Sequence, residues 1–317
     1  MDTQDSSRPR VAVVVNPSKF PDPDTLRVPL TRQAHAHGWA EPLWFETASD
    51  DGGAQAIADA IAQAPDLVCV AGGDGTVRTA AGALRRTGIP LGILPSGTGN
   101  LLARNLQLPV GELADAIEVA LVGQQRAIDV GLVSFDDRDA EPFVVMAGAG
   151  FDAAVMDRTD DALKQRIGWA AYVAAAGSSL LDRPFGTTVH VDGVAQDPAE
   201  CMMVIACNCS AVMGGIPVAA GAKLDDALLD LVALSPKPVA GWLGVAMDVA
   251  FNNRDGKGSL QQWAGREFDF ALDREILAEI DGDAVGIVTR GRATIDPASL
   301  LVRLPVPART AALGTTR

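Results

Sequence analysis

The sequence predicts an α/β protein in which a doubly wound parallel sheet comes first and a second domain of antiparallel β structure follows. Three observations carry that prediction. From Val11 to Val122, short and continuously apolar runs alternate with segments striped at helical spacing, the βαβ pattern. Beyond Ile128, strand-like runs succeed one another with few helices between them. The length of 317 residues, set against about 150 per domain, leaves room for two cores.

The elements follow in order. Val11–Val15 is β-branched and apolar throughout, as a strand buried on both faces must be. Thr25–His37 reads as a helix, Pro42–Phe45 as a short strand and Gln55–Gln63 as a helix with an Ala/Ile stripe. Leu67–Val70 is another buried strand, Val77–Arg86 a helix, Leu91–Leu94 a strand and Leu113–Val122 a closing helix. This βαβαβαβ order calls for right-handed crossovers. The later strands are Ile128–Val133, Phe143–Ala147, Thr187–Val191, Met202–Cys207, Leu228–Leu234 and Glu267–Ala271, interrupted by helical insertions at Ala162–Leu181 and Pro238–Asn252. Leu300–Leu304 is strand-like and fits either domain. The division expected is residues 1–131 plus a returning segment at 292–307 for the first domain, and 132–291 for the second.

Apolar residues make up 48% and charged ones 21%, ordinary globular usage that excludes a disordered or low-complexity chain. Lys and Arg number 26 against 40 Asp and Glu, a net charge of −14. That balance excludes nucleic acid as a partner bound by bulk charge, so any phosphate must be held locally. The start, MDTQDSSRPR then VAVVV, lacks the apolar core of a secretory signal. Ile167–Leu181 and Val239–Phe251 fall short of the roughly 20 residues that span a bilayer. A cytoplasmic protein is expected. Four cysteines without a C-x-x-C pair and three histidines offer little to zinc, so metal chemistry here has to be oxygen chemistry.

The most informative segment is Gly72-Gly73-Asp74-Gly75-Thr76, directly after a buried strand and directly before a helix. Its glycines let the backbone approach a ligand, and the helix start offers free N–H groups and the positive end of a dipole. It is neither a P-loop nor the G-x-G-x-x-G dinucleotide fingerprint. A second turn of the same kind, Pro95-Ser96-Gly97-Thr98-Gly99-Asn100, follows the next buried strand. Two such turns at the carboxyl ends of neighbouring strands converge on one crevice, where open α/β sheets bind ligands. Asn16, at the end of the first strand, can pin the crevice backbone or touch ligand, and Thr47 ends the second strand in the same layer.

In order and spacing, Asn16-Pro17, GGDGT and LPSGTGNLLAR resemble the catalytic domain of the diacylglycerol kinase family, in particular its soluble bacterial lipid kinases. The resemblance continues through Gly148-Ala149-Gly150-Phe151-Asp152, the lipid-proximal helix KQRIGWAAY from Lys164 to Tyr172, the metal turn KLDDALLD from Lys223 to Asp230, and Asp281-Gly282-Asp283. It implies a Rossmann-like nucleotide domain, a β-sandwich lipid domain and transfer of phosphate from ATP to a lipid hydroxyl with Mg²⁺. It also implies roles. Gly72, Gly73, Asp74, Gly75, Thr76, Val77 and Arg78, with Thr47 and Thr98 and the neighbouring Asn16, Ser96 and Gly97, would line ATP. Asp281 would be the general base, and a structural Mg²⁺ would take the Asp226 side chain with the carbonyls of Lys223 and Leu228.

Three positions depart from the family's pattern: Arg78 replaces a common Asn, Ala227 a Gly and Asp283 a Glu. An NAD kinase-like protein shares the GGDG turn but would carry an Asn-Glu or Asn-Asp pair, whereas Asn100 is followed by Leu101. A catalytically silent lipid-binding protein would have lost Asp281 or the glycine turns, and both are present. The partners expected are ATP and a membrane lipid, reached by transient contact from the membrane periphery because no anchor is visible. An edge strand of the second domain can pair across a homodimer.

Overall fold

The computed structural model describes residues 8–48, 51–150, 184–197, 199–213, 216–235 and 260–306. The two helical insertions, the segment Lys164–Tyr172, and Phe151 and Asp152 lie outside the described residues. The first part runs β1 (Val11–Val15), α1 (Asp24–Ala36), β2 (Leu43–Glu46), α2 (Ala54–Ala62), β3 (Leu67–Gly72), α3 (Asp74–Leu84), β4 (Leu91–Pro95), α4 (Leu101–Asn105) and α5 (Leu113–Val122). All pairings among its strands are parallel, in the order β4, β3, β1, β2.

Five valine and alanine side chains of β1 are buried, and their alternation decides the layering. Val11, Val13 and Val15 pack with Leu26, Leu30 and Ala34 of α1 and with Ile117 and Leu121 of α5. Ala12 and Val14 face the other way, onto Ile57 of α2 and Val77, Ala80 and Leu84 of α3. A strand covered by helices on both faces has no polar side to show, hence its continuous apolar run.

The second part contributes β5 (Gln124–Phe135), β6 (Glu141–Phe143), β7 (Met146–Gly150), β8 (Phe185–Val191), β9 (Val194–Ala195), β10 (Ala199–Cys201), β11 (Met203–Cys207), β12 (Ala211–Met213), β13 (Ile216–Pro217), β14 (Leu229–Leu234), β15 (Leu260–Gly265), β16 (Glu267–Ile280) and β17 (Asp283–Leu304). Its strand pairs are antiparallel, with a second core around Phe143, Phe268, Phe270 and Val189. Among the described residues no helix is long and apolar enough to cross a membrane.

The strand expected at Phe143–Ala147 is broken at Val144–Val145, where the chain passes from β6 to β7. The amides there turn toward a side chain instead of a ladder. The strand-like Leu300–Leu304 proves to be the end of the 22-residue β17. β17 pairs with β16 along its first half, then with β5, and Val302 lies parallel beside Leu91 of β4. One strand therefore joins the antiparallel and parallel regions into a single hydrogen-bonded sheet, of fifteen strands among the described residues.

A register shift in the β5–β17 ladder between Asp296 and Leu300 is held by Asp129, which is 2% exposed. Its carboxylate accepts from Ala298 N and Ala227 N, both at 2.7 Å. Both donors belong to residues with positive φ, a conformation that costs a non-glycine residue about 1 kcal/mol or more. Asp129→Ala should leave both amides unpaired and lower the unfolding free energy by about 3 kcal/mol, read as a fall in denaturant midpoint with an unchanged m-value.

Candidate active site

Helix α3 begins at Asp74, three residues earlier than its apolar stripe suggests, with Gly73 as its extended N-cap and no side-chain cap. The first turn of α3 is thus left without a side-chain cap, at the positive end of the helix, the kind of place where an anion can bind. The Asp74 carboxylate turns away from that position: it accepts from Asn100 N at 2.9 Å and Leu101 N at 2.6 Å. It therefore caps α4 and ties the second glycine turn to the first. Burial pushes its carboxyl upward against the pull of those amides, and the nearby charge of Asp283 adds to the rise.

The two turns approach so closely that side chains are excluded. A Cβ on Gly97 would stand 2.9 Å from Gly73 Cα, and one on Gly99 would stand 2.5 Å from the Asp74 carboxylate. The glycines are required by this turn-on-turn contact. Asn100, in the left-handed region at φ 48°, completes the turn by bonding Gly97 through both ends of its amide.

Asn16 pins backbone: its Oδ1 accepts from Ser18 N and Ser18 Oγ at 3.0 and 2.7 Å, capping the turn Pro17–Lys19. Thr47 is buried beside the end of β1, its N–H on the Val15 carbonyl at 2.9 Å. Ser96 bonds the Gly72 carbonyl at 3.1 Å, and Thr98 is exposed at the tip of its turn. All lie at the carboxyl ends of the parallel strands.

Asp281 reaches the same region from the opposite side. Asp281 and Gly282, at φ 50° and 91°, form the two-residue loop between β16 and β17, as a type I′ hairpin demands. The carboxylate, 4% exposed, turns back to the β6–β7 junction. Its Oδ1 accepts from Val145 N at 2.8 Å and Met146 N at 2.9 Å, and its Oδ2 from Val144 N at 3.0 Å. Burial raises its carboxyl to about 6, against the opposing pull of these three amides and the Arg78 guanidinium. Asn208 braces the junction from behind, donating to the carbonyls of Val144 and Asp129.

Arg78, on α3, spans the gap. Its guanidinium donates to the Ile280 carbonyl and pairs with Asp283 at 2.9 Å. Two of the three positions that depart from the family's pattern thus meet each other. A Cβ on Gly75 would lie 3.3 Å from Asp283 Oδ2, so the hairpin sits over the first turn of α3.

Glu279 did not stand out in the sequence. It lies between Ala278 and Ile280, which belong to one core, and so turns to the other face of the sheet, near Cys207. Burial and the charges of Asp281 and Asp283 raise its carboxyl to about 7. An acidic residue inside the apolar run Ile276-Leu277-Ala278-Glu279-Ile280 was the available signal.

The expected metal turn lies apart from this cluster. Asp226 is exposed, its Oδ1 accepting from Leu228 N at 3.2 Å, and Ala227 holds the turn at φ 61° in place of a glycine. One carboxylate with two carbonyls, from Lys223 and Leu228, is a hard-oxygen set that suits Mg²⁺. Among the described residues no three His, Cys, Asp or Glu side chains gather as a metal cluster. The turn connects to Asp281 through Asp129, Asn208 and the Val144 carbonyl.

Residues 10–133 match the model of the diacylglycerol kinase catalytic domain, and residues 145–303 that of the YegS C-terminal NAD kinase beta sandwich-like domain. A probable lipid kinase YegS-like protein of Pseudomonas fluorescens is 31% identical over 287 residues, covering 85% of this chain and 87% of that one. The chain belongs to the diacylglycerol kinase and YegS-like lipid kinase family. Within this lipid kinase family, a diacylglycerol kinase of Mycobacterium tuberculosis is 33% identical over 180 residues, 55% of this chain and 57% of that protein. The chain thus matches little more than half the length of that relative. The crystal structure of a diacylglycerol kinase from Bacillus anthracis superposes with a TM-score of 0.68 at 19% identity, over 94% of this chain and 97% of that one. A second crystal structure from the same organism gives 0.74 at 21%, over 97% and 99%. These two likenesses concern the fold.

Because Glu279 is lifted above its usual range by burial, its ionisation works against folding. The stability that the protonated side chain allows is fully present below the ordinary glutamate range and is lost as pH rises through about 7. Glu279→Gln should raise stability at pH 8 by on the order of 2 kcal/mol and change it little at pH 5, measured by denaturant unfolding at both values.

Proposed function

We propose that this protein is an ATP-dependent kinase that phosphorylates a hydroxyl of diacylglycerol or a related lipid, with Asp281 as the general base. The observation that carries the reading is a buried carboxylate raised to about 6 and fixed by three amides beside an uncapped helix N-terminus. Gly72 to Val77, with Asn16, Thr47, Ser96, Gly97 and Thr98, are the proposed nucleotide residues. The α3 amides suit the phosphates by charge and direction.

The Asp281 oxygens differ. Oδ1 already accepts two N–H bonds, whereas Oδ2 accepts one and keeps a lone pair for an incoming proton. In the proposed step the lipid oxygen attacks the γ-phosphorus, its proton passes to Asp281 Oδ2, and the bond from phosphorus to the β–γ bridging oxygen breaks to release ADP. Phosphoryl transfer needs alignment and charge neutralisation more than covalent help from the protein. Mg²⁺, when bound, supplies neutralising charge. Lys223, Asp226 and Leu228 are the proposed holders of a structural Mg²⁺ that fixes the turn before β14. A lipid held in a bilayer implies transient contact with the membrane surface.

The test is transfer from γ-labelled ATP with Mg²⁺ to a panel of lipids in mixed micelles, with NAD as a further acceptor. Label is expected in a lipid, and Asp281→Asn should lower kcat at least 100-fold, in the range of a lost general base. The wild-type kcat/KM should fall on acidification through about pH 6, because the base must be ionised to accept the proton. Label in NAD alone, or undiminished activity of the Asn variant, would defeat the reading.

A further inference from the structure

Arg78 is the described side chain that bonds directly from the nucleotide helix to the hairpin carrying Asp281. Its side chain is 18% exposed, its partner Asp283 57%. It contacts the hairpin at two points, the carbonyl of Ile280 on one side of the Asp281-Gly282 loop and the carboxylate of Asp283 on the other. A guanidinium can hold two such acceptors in one plane, which an ammonium or an amide of similar length cannot. The loop is therefore gripped on both flanks by one residue of α3.

We propose that Arg78 is a positioning residue for the phosphoryl transfer, a clasp that seats the Asp281 loop over the first turn of α3 and supplies the positive charge facing the base. The proposal rests on the kinase reading above. It assigns Arg78 a role toward the base, distinct from a contact to nucleotide.

Two physical consequences follow. The first is geometric. Asp281 Oδ2 must meet the lipid hydroxyl while the α3 amides hold the phosphates, and the clasp fixes the distance between the two. A misplacement near 1 Å costs about 100-fold in rate. The second is electrostatic. From α3 the charge facing Asp281 is Arg78; beyond β11 the titratable neighbour is the buried Cys209 thiol, which burial keeps protonated and neutral; on its own hairpin the neighbours are Glu279 and Asp283. Arg78 is the cation of this set, and it favours the ionised form of Asp281. Its removal should leave the base harder to ionise.

The experiment uses the full chain and the variants Arg78→Gln, Arg78→Lys, Asp283→Asn and the double variant Arg78→Gln/Asp283→Asn. Steady-state lipid phosphorylation is measured from pH 5 to 8.5, and ¹³C carboxyl titration of Asp281 is assigned by its loss in Asp281→Asn. Arg78→Gln should lower kcat roughly tenfold or more, leave KM for ATP within about threefold, and move the acid limb and the carboxyl titration upward by about half a pH unit. Arg78→Lys should restore the titration more fully than the rate, because it returns charge without the two-point grip. The double variant should be no slower than Arg78→Gln, since the two residues act through one contact.

An unmoved titration in a folded Arg78→Gln variant would overturn the proposal. So would a raised KM for ATP with unchanged kcat, which would make Arg78 a nucleotide ligand, or additive losses in the double variant. If the wild type labels no lipid, the kinase reading fails, and the carboxyl titration still decides whether Arg78 faces and polarises Asp281.

Discussion

The site depends on how one buried carboxylate is held. Asp281 is too deeply enclosed to be solvated by bulk water, and a carboxylate in such a place needs hydrogen bonds to its oxygens to ionise at all. Three successive amides, those of Val144, Val145 and Met146, supply them. The requirement propagates outward. The β6–β7 junction must leave the ladder to present its N–H groups, Asn208 must occupy the carbonyls behind it, and the hairpin must turn through two residues at positive φ to bring the carboxylate inward. The opposing effects leave the group between an ordinary aspartate and a fully neutral acid, with a value of about 6.

The glycine turns show the same economy of backbone. Glycines in both turns allow the chain segments to touch, and Asp74 spends its charge on the amides of Asn100 and Leu101, which leaves the first-turn amides of α3 uncapped. Read as a contact to an anionic ligand, an aspartate in this turn looks unfavourable. As a brace between two turns it is an acceptor for the two amides at the entry to α4, and its position in the first turn of α3 is favoured by the dipole.

Much of this was legible from sequence, for identifiable reasons. Continuous apolar runs as short and β-branched as Val11–Val15 fit strands covered on both sides, and the glycine turns stand out because they follow such runs directly. The family followed from the order of the motifs. The start of α3 was misplaced because Asp74, Gly75 and Thr76 carry no apolar stripe although they are helical. The break at Val144–Val145 was hidden because the run from Phe143 to Ala147 is apolar throughout and the acceptor that bends it lies 135 to 137 residues away. Asp129 and Glu279 were passed over for a related reason: each is a single acid within an apolar strand, and what it faces is set by register, which no local pattern reveals.

The path of β17 has a mechanical consequence. The strand begins two residues after Asp281 and ends in the parallel sheet beside β4, paired along the way with β16 and then β5. The halves of the site are therefore coupled by a stiff ribbon, where a slack tether would let them hinge freely. Any widening between the glycine turns and Asp281 has to be taken up as twist in that ribbon, and at the interruption of the β5 ladder between Asp296 and Leu300 Asp129 acts as the rivet.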